Sequence, residues 1–95
     1  RNNLKTLILE KQVYPIDKAC GEGIMPTGVE HLRELGIAPF VEKYPYHYFK
    51  GIRYISGKGR TAEANFAEGS GWGIQRVVFS SALLECAATL SNLEI

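Results

Sequence analysis

The chain has 95 residues, of which 45% are hydrophobic and 22% are charged, and its formal net charge at pH 7 is +1. These values are typical of one small globular domain or part of a larger one, and they argue against a disordered chain and against a polyanion-binding protein. Cys20 and Cys86 have no CxxC spacing, so neither a disulfide framework nor a zinc site is indicated, and a cytoplasmic location is expected. No apolar run reaches the roughly 20 residues that a membrane span needs.

The first predicted element is a strand. LKTLILE, Leu4–Glu10, is a nearly continuous apolar run, which is typical of a strand covered on both faces in a parallel sheet. The chain starts close to this strand with Arg1 rather than methionine, and we expect a truncation, a processing event or a cloning boundary there. Residues Lys11–Met25 contain Pro15 and show no apolar period, so they predict a long loop, and loops of this length tend to be functional.

A helix is predicted after this loop. Pro26 suits the first helical position, Thr27 and Glu30 have the spacing of a capping box, and Gly36 is placed to end the helix. The predicted buried side comprises Ile24, Val29, Leu32 and Leu35.

The middle of the chain predicts an irregular segment and then a hairpin. Pro39 and Pro45 are expected to prevent regular structure between Ile37 and Phe49. Two strands, Ile52–Ser56 and Thr61–Phe66, are predicted around the turn Gly57-Lys58-Gly59, in which glycine supplies positive φ angles.

A second helix is predicted over Val77–Leu90. Its apolar residues recur at helical spacing and define one face, which consists of Val78, Ala82, Leu83, Cys86, Ala87 and Leu90.

The candidate functional residues lie at the ends of these elements. Glu10 ends the first strand, where an acidic residue of a dinucleotide-binding fold accepts two hydrogen bonds from a ribose; a solvated glutamate is the alternative. The loop Asp17–Gly23 has glycines that permit close approach of a ligand to the backbone and Lys18 as a cation for phosphate, although an ordinary turn explains it equally well. Arg76 precedes a helix and could reach an anion, or could simply be solvated.

Two further interpretations concern Cys20 and the aromatic segment. Cys20 has no identifiable base partner, because His31 is on the first helix and His47 is in the aromatic loop, so a packing role is favoured over a nucleophile. The basic and aromatic residues between Lys43 and Arg53 could stack single-stranded nucleic acid, but the balanced charge argues against a nucleic-acid partner. The segment Tyr44–Phe49 could instead dock a protein partner, which would make the chain a small non-catalytic interaction module.

Four segments in order carry a family resemblance. LILEKQ, YPIDKACGEGIMPTGVEHLRELGI, the F-x-GIRY hairpin and GWGIQRVVFSSALLECA resemble the flavin-dependent monooxygenases of the p-hydroxybenzoate hydroxylase type and their relatives, the geranylgeranyl reductases and flavin-dependent halogenases. The resemblance covers nearly all of this chain and about the first quarter of such an enzyme. It implies an α/β fold in which residues 1–95 form a single, partial Rossmann-like FAD-binding domain, without the N-terminal GxGxxG strand-turn-helix and without the substrate domain.

The resemblance also implies a function, that of a fragment of an FAD-dependent oxidoreductase. Glu10 matches the ribose-binding acid, the Lys18–Gly23 loop matches the segment along the FAD, and Arg76 matches an arginine near the flavin. NAD(P)H is implied as the electron donor of the parent enzyme, with a small molecule as its substrate. The implied cofactor-binding residues are Glu10, Lys11, Lys18, Cys20, Gly21, Glu22, Gly23 and Arg76, and no catalytic residue or metal ligand is assigned.

The chain also departs from the family pattern. Gln75 stands where a second arginine is often found, and the missing glycine loop would leave the pyrophosphate without its helix N-terminus. The isolated chain is therefore expected to be inactive. Its first strand would lack its inner neighbour, and dimerisation or strand exchange is a hypothesis for how that edge is covered.

Overall fold

The structure of the chain is a computed structural model that describes residues 3–20 and 22–95. Gly21, one of the predicted cofactor-binding residues, lies outside the described residues. Helices and strands alternate irregularly along the described chain, which confirms the predicted α/β class. The elements are β1 (Thr6–Leu7), β2 (Gly23–Ile24), α1 (Pro26–Glu34), α2 (Ala38–Val41), β3 (His47–Phe49), β4 (Gly51–Ile55), β5 (Thr61–Asn65), β6 (Gly71–Gly73), α3 (Arg76–Ala88) and β7 (Leu93–Glu94).

The strands form three small sheets. The antiparallel sheet β2-β6-β3 has β6 in its centre. β4 and β5 pair only with each other as an antiparallel hairpin, and β1 pairs in parallel with β7, near the other end of the chain. Among the helices of the described residues, none is both long enough and apolar enough to cross a membrane.

The hydrophobic core lies where the three helices meet β6. Trp72 on β6 has no exposed surface, and its indole packs against the ring of Tyr46 at a centroid distance of 4.8 Å. The other buried core residues are Val29 and Leu32 from α1, Ala38 and Val41 from α2, Ile74 after β6, and Ala82 from α3. Each fully buried valine contributes about 1.5–3 kcal/mol. Helix α3 joins this core through Ala82, with Val78 and Phe79 packed against it.

Helix α1 begins at Pro26 and is followed by Gly36 at φ +73°, as predicted. The predicted capping box is wrong, because Thr27 lies inside the helix and Met25 occupies the cap position without a side-chain bond. Leu35 is 55% exposed rather than buried, because it lies at the C-cap, where the chain leaves the helix.

The opening strand differs from its prediction. β1 is only two residues long, and Leu4, Leu7 and Leu9 are 68%, 61% and 85% exposed. The prediction of a strand over Leu4–Glu10 covered on both faces is therefore wrong for the described chain. The physical reason is that only β7 pairs with β1 and no helix covers either face, although the predicted parallel direction is confirmed.

The segment 37–49 is also more regular than predicted. It contains α2 and β3, and Pro39 lies in the first turn of α2, where the missing N–H of proline has no helical partner to lose. The prediction of an irregular segment was wrong for this reason.

The hairpin and the last helix agree more closely with their predictions. β4 and β5 lie within one residue of the predicted strands, and Gly59 in the turn has φ +76°. α3 buries Ala82 on its predicted face. The predicted end of this helix at Leu90 is wrong by two residues, because α3 ends at Ala88, and Leu90 beyond it is 47% exposed.

Candidate functional site

A cleft of about 290 Å³ lies beside the first turn of α3. We call it the Arg76 cleft. It brings together four of the predicted cofactor-binding residues, Cys20, Glu22, Gly23 and Arg76, although Arg76 is more than 50 positions from the others in the sequence. Its remaining lining is largely apolar and consists of Ile24, Gly28, Leu32, Ile74 and Phe79.

Glu22 joins the predicted loop to α3. Its backbone carbonyl accepts a hydrogen bond from the N–H of Ile74 at 2.9 Å, and its carboxylate Oε1 accepts one from the N–H of Arg76 at 3.1 Å. The second bond satisfies an N–H of the first helical turn, which Gln75 at the cap position does not reach with its side chain. A carboxylate at this end also complements the helix dipole. Glu22 therefore acts as a capping group supplied from a distant part of the chain.

The backbone of Glu22 adopts an uncommon conformation. Its φ is +50°, in the left-handed region that non-glycine residues rarely adopt. The two hydrogen bonds to Ile74 and Arg76 hold the residue in this conformation. As a result, the side chain stays beside the start of α3 while the next residue, Gly23, pairs with Gly73 of β6.

The side chain of Arg76 contains an unsatisfied hydrogen-bond donor. The Nε atom of Arg76 is buried and has no hydrogen-bond partner within residues 3–20 and 22–95. A buried donor without a partner costs free energy, and an acceptor atom of a ligand in the Arg76 cleft would recover it. The arginine therefore fits a ligand that presents an oxygen or nitrogen acceptor.

Cys20 contributes an exposed free thiol to the same cleft. Neither histidine of the chain is among the residues that line it. The cleft thus supplies no imidazole base for this thiol.

The other predicted residues lie elsewhere. Glu10 and Lys11 line a separate open cleft of about 600 Å³ with Ile8, Leu9 and Ile95, and Glu10 Oε1 accepts a hydrogen bond from the N–H of Gln12 at 3.1 Å. Lys18 is exposed and lines neither cleft. The structure therefore places four of the predicted residues at the Arg76 cleft, two at the open cleft and Lys18 at neither, and their convergence on one cofactor stays a prediction.

A third cleft, of about 470 Å³, is adjacent to the Arg76 cleft and shares Glu22 and Ile74 with it. We call it the glycine-floored cleft; its other lining residues are Pro45, His47, Gly73, Gln75 and Val78. Sequence reasoning missed His47 and Gly73 as site residues. The sequence did contain a signal, the pattern GWG. Successive residues of a strand point to opposite faces of the sheet, so if the tryptophan is buried on one face, the two glycines leave the other face without side chains.

Helix α3 is held in place by a polar cluster on its far half. The carboxylate of Glu85 accepts hydrogen bonds from the hydroxyl of Tyr44 and, at 3.1 Å, from Nζ of Lys43. The bond from Tyr44, with a smaller contribution from Lys43, lowers the pKa of Glu85, and the same bond raises the pKa of Tyr44. The cluster fixes α3, and with it Arg76, relative to the segment after α2.

No metal site is evident in the part of the chain that the structure describes. Its His, Cys, Asp and Glu residues form no group of three or more that could hold an ion. The residues that line the Arg76 cleft and the glycine-floored cleft offer a thiol, a carboxylate, a guanidinium and an imidazole beside apolar surface.

Comparison with known proteins finds partial similarities. No protein-family profile matches the chain. Over 69 residues, 72% of the chain, it is 30% identical to Conditioned medium factor receptor 1 of Dictyostelium discoideum, and over 60 residues, 63% of the chain, it is 32% identical to Menaquinone reductase of Mycobacterium tuberculosis. Menaquinone reductase of Mycolicibacterium smegmatis is 35% identical over 57 residues, 60% of the chain.

These matches cover a small part of each relative. The chain spans 14% of the length of the first two proteins and 13% of the third. Two of the three are reductases by name, which agrees with the oxidoreductase character that the sequence predicts. The relative from Dictyostelium discoideum is named as a receptor.

Proposed function

We propose that the chain is part of an FAD-dependent oxidoreductase of the monooxygenase or reductase type, and that the Arg76 cleft forms part of its flavin site. The observation that carries this proposal is the gathering of Cys20, Glu22, Gly23 and Arg76 around one cleft. The resemblance predicted cofactor contacts for all four residues. The similarity to two reductases supports the same reaction class.

The residues of the Arg76 cleft fit such a ligand. Arg76 Nε, buried and without a partner in the described chain, would donate a hydrogen bond to an acceptor atom of the cofactor. Gly23 has no side chain and lets a ligand approach the backbone of β2. The apolar residues Ile24, Leu32 and Phe79 would exclude water from one side of a ring system. When bound, FAD would supply the redox chemistry, for which the protein provides orientation and electrostatics.

The remaining roles are further parts of the same proposal. Glu10 and Lys11 would contact the adenosine ribose, and Lys18 and Gly21 the phosphate or ring region of the cofactor. NAD(P)H would be the electron donor of the parent enzyme. Because two relatives carry the name menaquinone reductase, we propose a quinone-type acceptor as its small-molecule substrate.

The test is a titration of FAD into the full-length parent protein, monitored by the flavin absorbance spectrum and by calorimetry. We expect Arg76→Ala to weaken FAD binding by tenfold or more and Glu10→Ala to weaken it to a smaller extent. Arg60→Ala is the matched control, because Arg60 is exposed beside the hairpin turn. Unchanged affinity in both Arg76→Ala and Glu10→Ala would remove the residue assignments.

A second candidate is the non-catalytic interaction module. Two observations favour it: Tyr48 in the aromatic segment is 63% exposed, and one relative is named as a receptor. The same titration separates the two candidates, because the module predicts no FAD binding at any concentration. It also predicts that Tyr48→Ala weakens capture of a protein partner while Arg76→Ala does not.

A further inference from the structure

The glycine-floored cleft is built on a row of paired residues across the central sheet. Gly73 of β6 pairs with Gly23 of β2 on one side and with His47 of β3 on the other. Directly paired residues of antiparallel strands point to the same face. The side chain of His47 therefore lies on the same face as the open space over Gly73, while Ile24, Trp72 and Tyr48 form the opposite face.

The space over Gly73 is free of protein atoms at short range. A Cβ built on Gly73 would meet only the backbone oxygen of His47, at 3.6 Å, which is an ordinary contact. Gly71, two residues earlier on the same face, is different, because a Cβ there would collide with the ring of Phe49. The open face is thus confined to Gly73 and is closed at one end by Phe49.

The walls of the cleft combine a few polar groups with apolar surface. Glu22, His47 and Gln75 are the polar side chains, and Pro45, Ile74 and Val78 are apolar. No lysine or arginine lines the cleft, so an anionic ligand would find the carboxylate of Glu22 without a compensating cation. The chemistry favours a neutral ligand with a flat, apolar body and an oxygen at its edge.

The dimensions suit a fused ring. Gly73 is the residue of this cleft that has no side chain, and the cleft volume of about 470 Å³ leaves room for a ring placed over it. The cleft also shares the wall formed by Glu22 and Ile74 with the Arg76 cleft. A ligand on this floor would lie next to a cofactor held by Arg76.

We infer that the glycine-floored cleft binds the neutral quinone acceptor of the parent oxidoreductase, with its ring over Gly73 and a ring oxygen hydrogen-bonded to His47. This inference rests on the proposed function for the role of the ligand. Beyond that function, the inference states where the quinone binds and which residues recognise it.

The test uses an isotope-labelled sample of the chain and a naphthoquinone in which both reactive ring positions carry methyl groups, so that it does not add to Cys20 or Cys86. Binding is followed by shifts of the backbone amide signals. We expect shifts centred on Gly73, Ile74 and His47. Gly73→Ala should weaken binding by tenfold or more, because the new methyl group has room in the protein but occupies the place of the ring, and Gly73 has no left-handed φ that would strain alanine.

Two variants and one analogue complete the experiment. Gly57→Ala is the matched control, since Gly57 is in the hairpin turn with nothing within 4 Å, and its affinity should stay within twofold of the wild type. His47 is exposed, so His47→Ala should retain the fold and weaken binding roughly three- to tenfold, the range of one hydrogen bond. A sulfonated naphthoquinone should bind at least tenfold more weakly than the neutral probe.

The outcomes separate this inference from the proposed function. Absence of quinone shifts in the wild type, equal affinity in Gly73→Ala, or equal affinity for the sulfonated analogue would overturn it. If FAD binds and the quinone does not, the inference fails alone. If the quinone binds in a manner that depends on Gly73 while FAD does not bind, the cleft assignment is supported and the flavin proposal fails.

Discussion

Glu22 links local backbone conformation to the candidate site. Its carboxylate caps α3 through the N–H of Arg76 while its φ lies in the left-handed region. A single side chain thus satisfies a helix terminus and forms the wall between two clefts. Sequence reasoning identified Glu22 as a cofactor-binding candidate but not as a helix cap, since its partner Arg76 is 54 positions away.

We predict that Glu22→Ala destabilises the chain by about 1 kcal/mol, the usual cost of losing a helix cap. Urea unfolding followed by far-ultraviolet circular dichroism measures this change. Glu68→Ala is the control, because Glu68 is an exposed loop residue, and it should change the free energy of unfolding by less than about 0.5 kcal/mol. Equal stabilities of the two variants would contradict the capping role.

The Glu85 cluster predicts a dependence of stability on pH. In the folded state the pKa of Glu85 is lowered from the ordinary value of 4.5, mainly by the hydrogen bond from Tyr44 and then by the one from Lys43. The unfolded chain therefore takes up the proton first as pH falls, so the contribution of Glu85 is full above pH 4.5 and is lost at lower pH, through the folded-state pKa. We expect the wild type to exceed Glu85→Gln in unfolding free energy at pH 6, with a difference that shrinks toward pH 3.

Urea unfolding of both proteins at several pH values checks this expectation. Glu63→Gln is a useful comparison, because Glu63 pairs with Arg53 on the exposed hairpin rather than between a helix and its neighbour. A difference between wild type and Glu85→Gln that is constant from pH 6 to pH 3 would contradict the assignment.

The residues of the candidate site were predictable only in part. Cys20, Glu22 and Gly23 are contiguous in sequence, and Arg76 carried its own motif, so reasoning from motifs could name them. His47 and Gly73 become neighbours only through the pairing of β3 with β6, across 26 positions of sequence. No local pattern encodes that pairing.

At the level of elements, α2 shows how tertiary contacts override a local signal. The four residues Ala38–Val41 include a proline, yet Ala38 and Val41 are 3% and 0% exposed. Burial against α1 and α3 compensates for the weak intrinsic preference of so short a helix. α1, the hairpin and α3 were predictable because proline, glycine and apolar spacing act within each element.

We predict that Val41→Ala destabilises the chain by roughly 2 kcal/mol, because it removes two methyl groups from a fully buried site. Val13→Ala makes the same chemical change at a position that is 92% exposed, and it should change stability by less than about 0.5 kcal/mol. Urea unfolding of both variants measures the difference. Similar effects at the two positions would show that α2 is not part of the core.

At the level of the whole molecule, the chain is less compact than its length suggests. Its radius of gyration is 16.4 Å and its extents are 52 × 29 × 22 Å, whereas a compact domain of about 100 residues has a radius near 13 Å. The β4-β5 hairpin pairs only within itself and β1 pairs only with β7 in the described chain. Exposed apolar side chains of these parts include Leu4, Leu7, Leu9, Val13, Tyr54 and Ile55.

We predict that this exposed apolar surface makes the chain self-associate, with a homodimer as the first species. Size-exclusion chromatography with light scattering should show an apparent mass that rises with protein concentration above 10.5 kDa. Leu9→Lys places a charge beside the exposed strand β1 and should reduce the association, whereas Lys58→Ala in the hairpin turn should not. A monomer at every concentration would contradict this prediction.

Trp72 is the only tryptophan of the chain, it is completely buried, and it immediately precedes Gly73. Indole emission shifts to longer wavelength in contact with water, so the native protein carries an intrinsic optical reporter of its core. Because the indole and the glycine floor occupy opposite faces of the same strand, a light-absorbing molecule on that floor would quench the emission by energy transfer across the sheet. The chain can thus signal both unfolding and occupancy without any attached label.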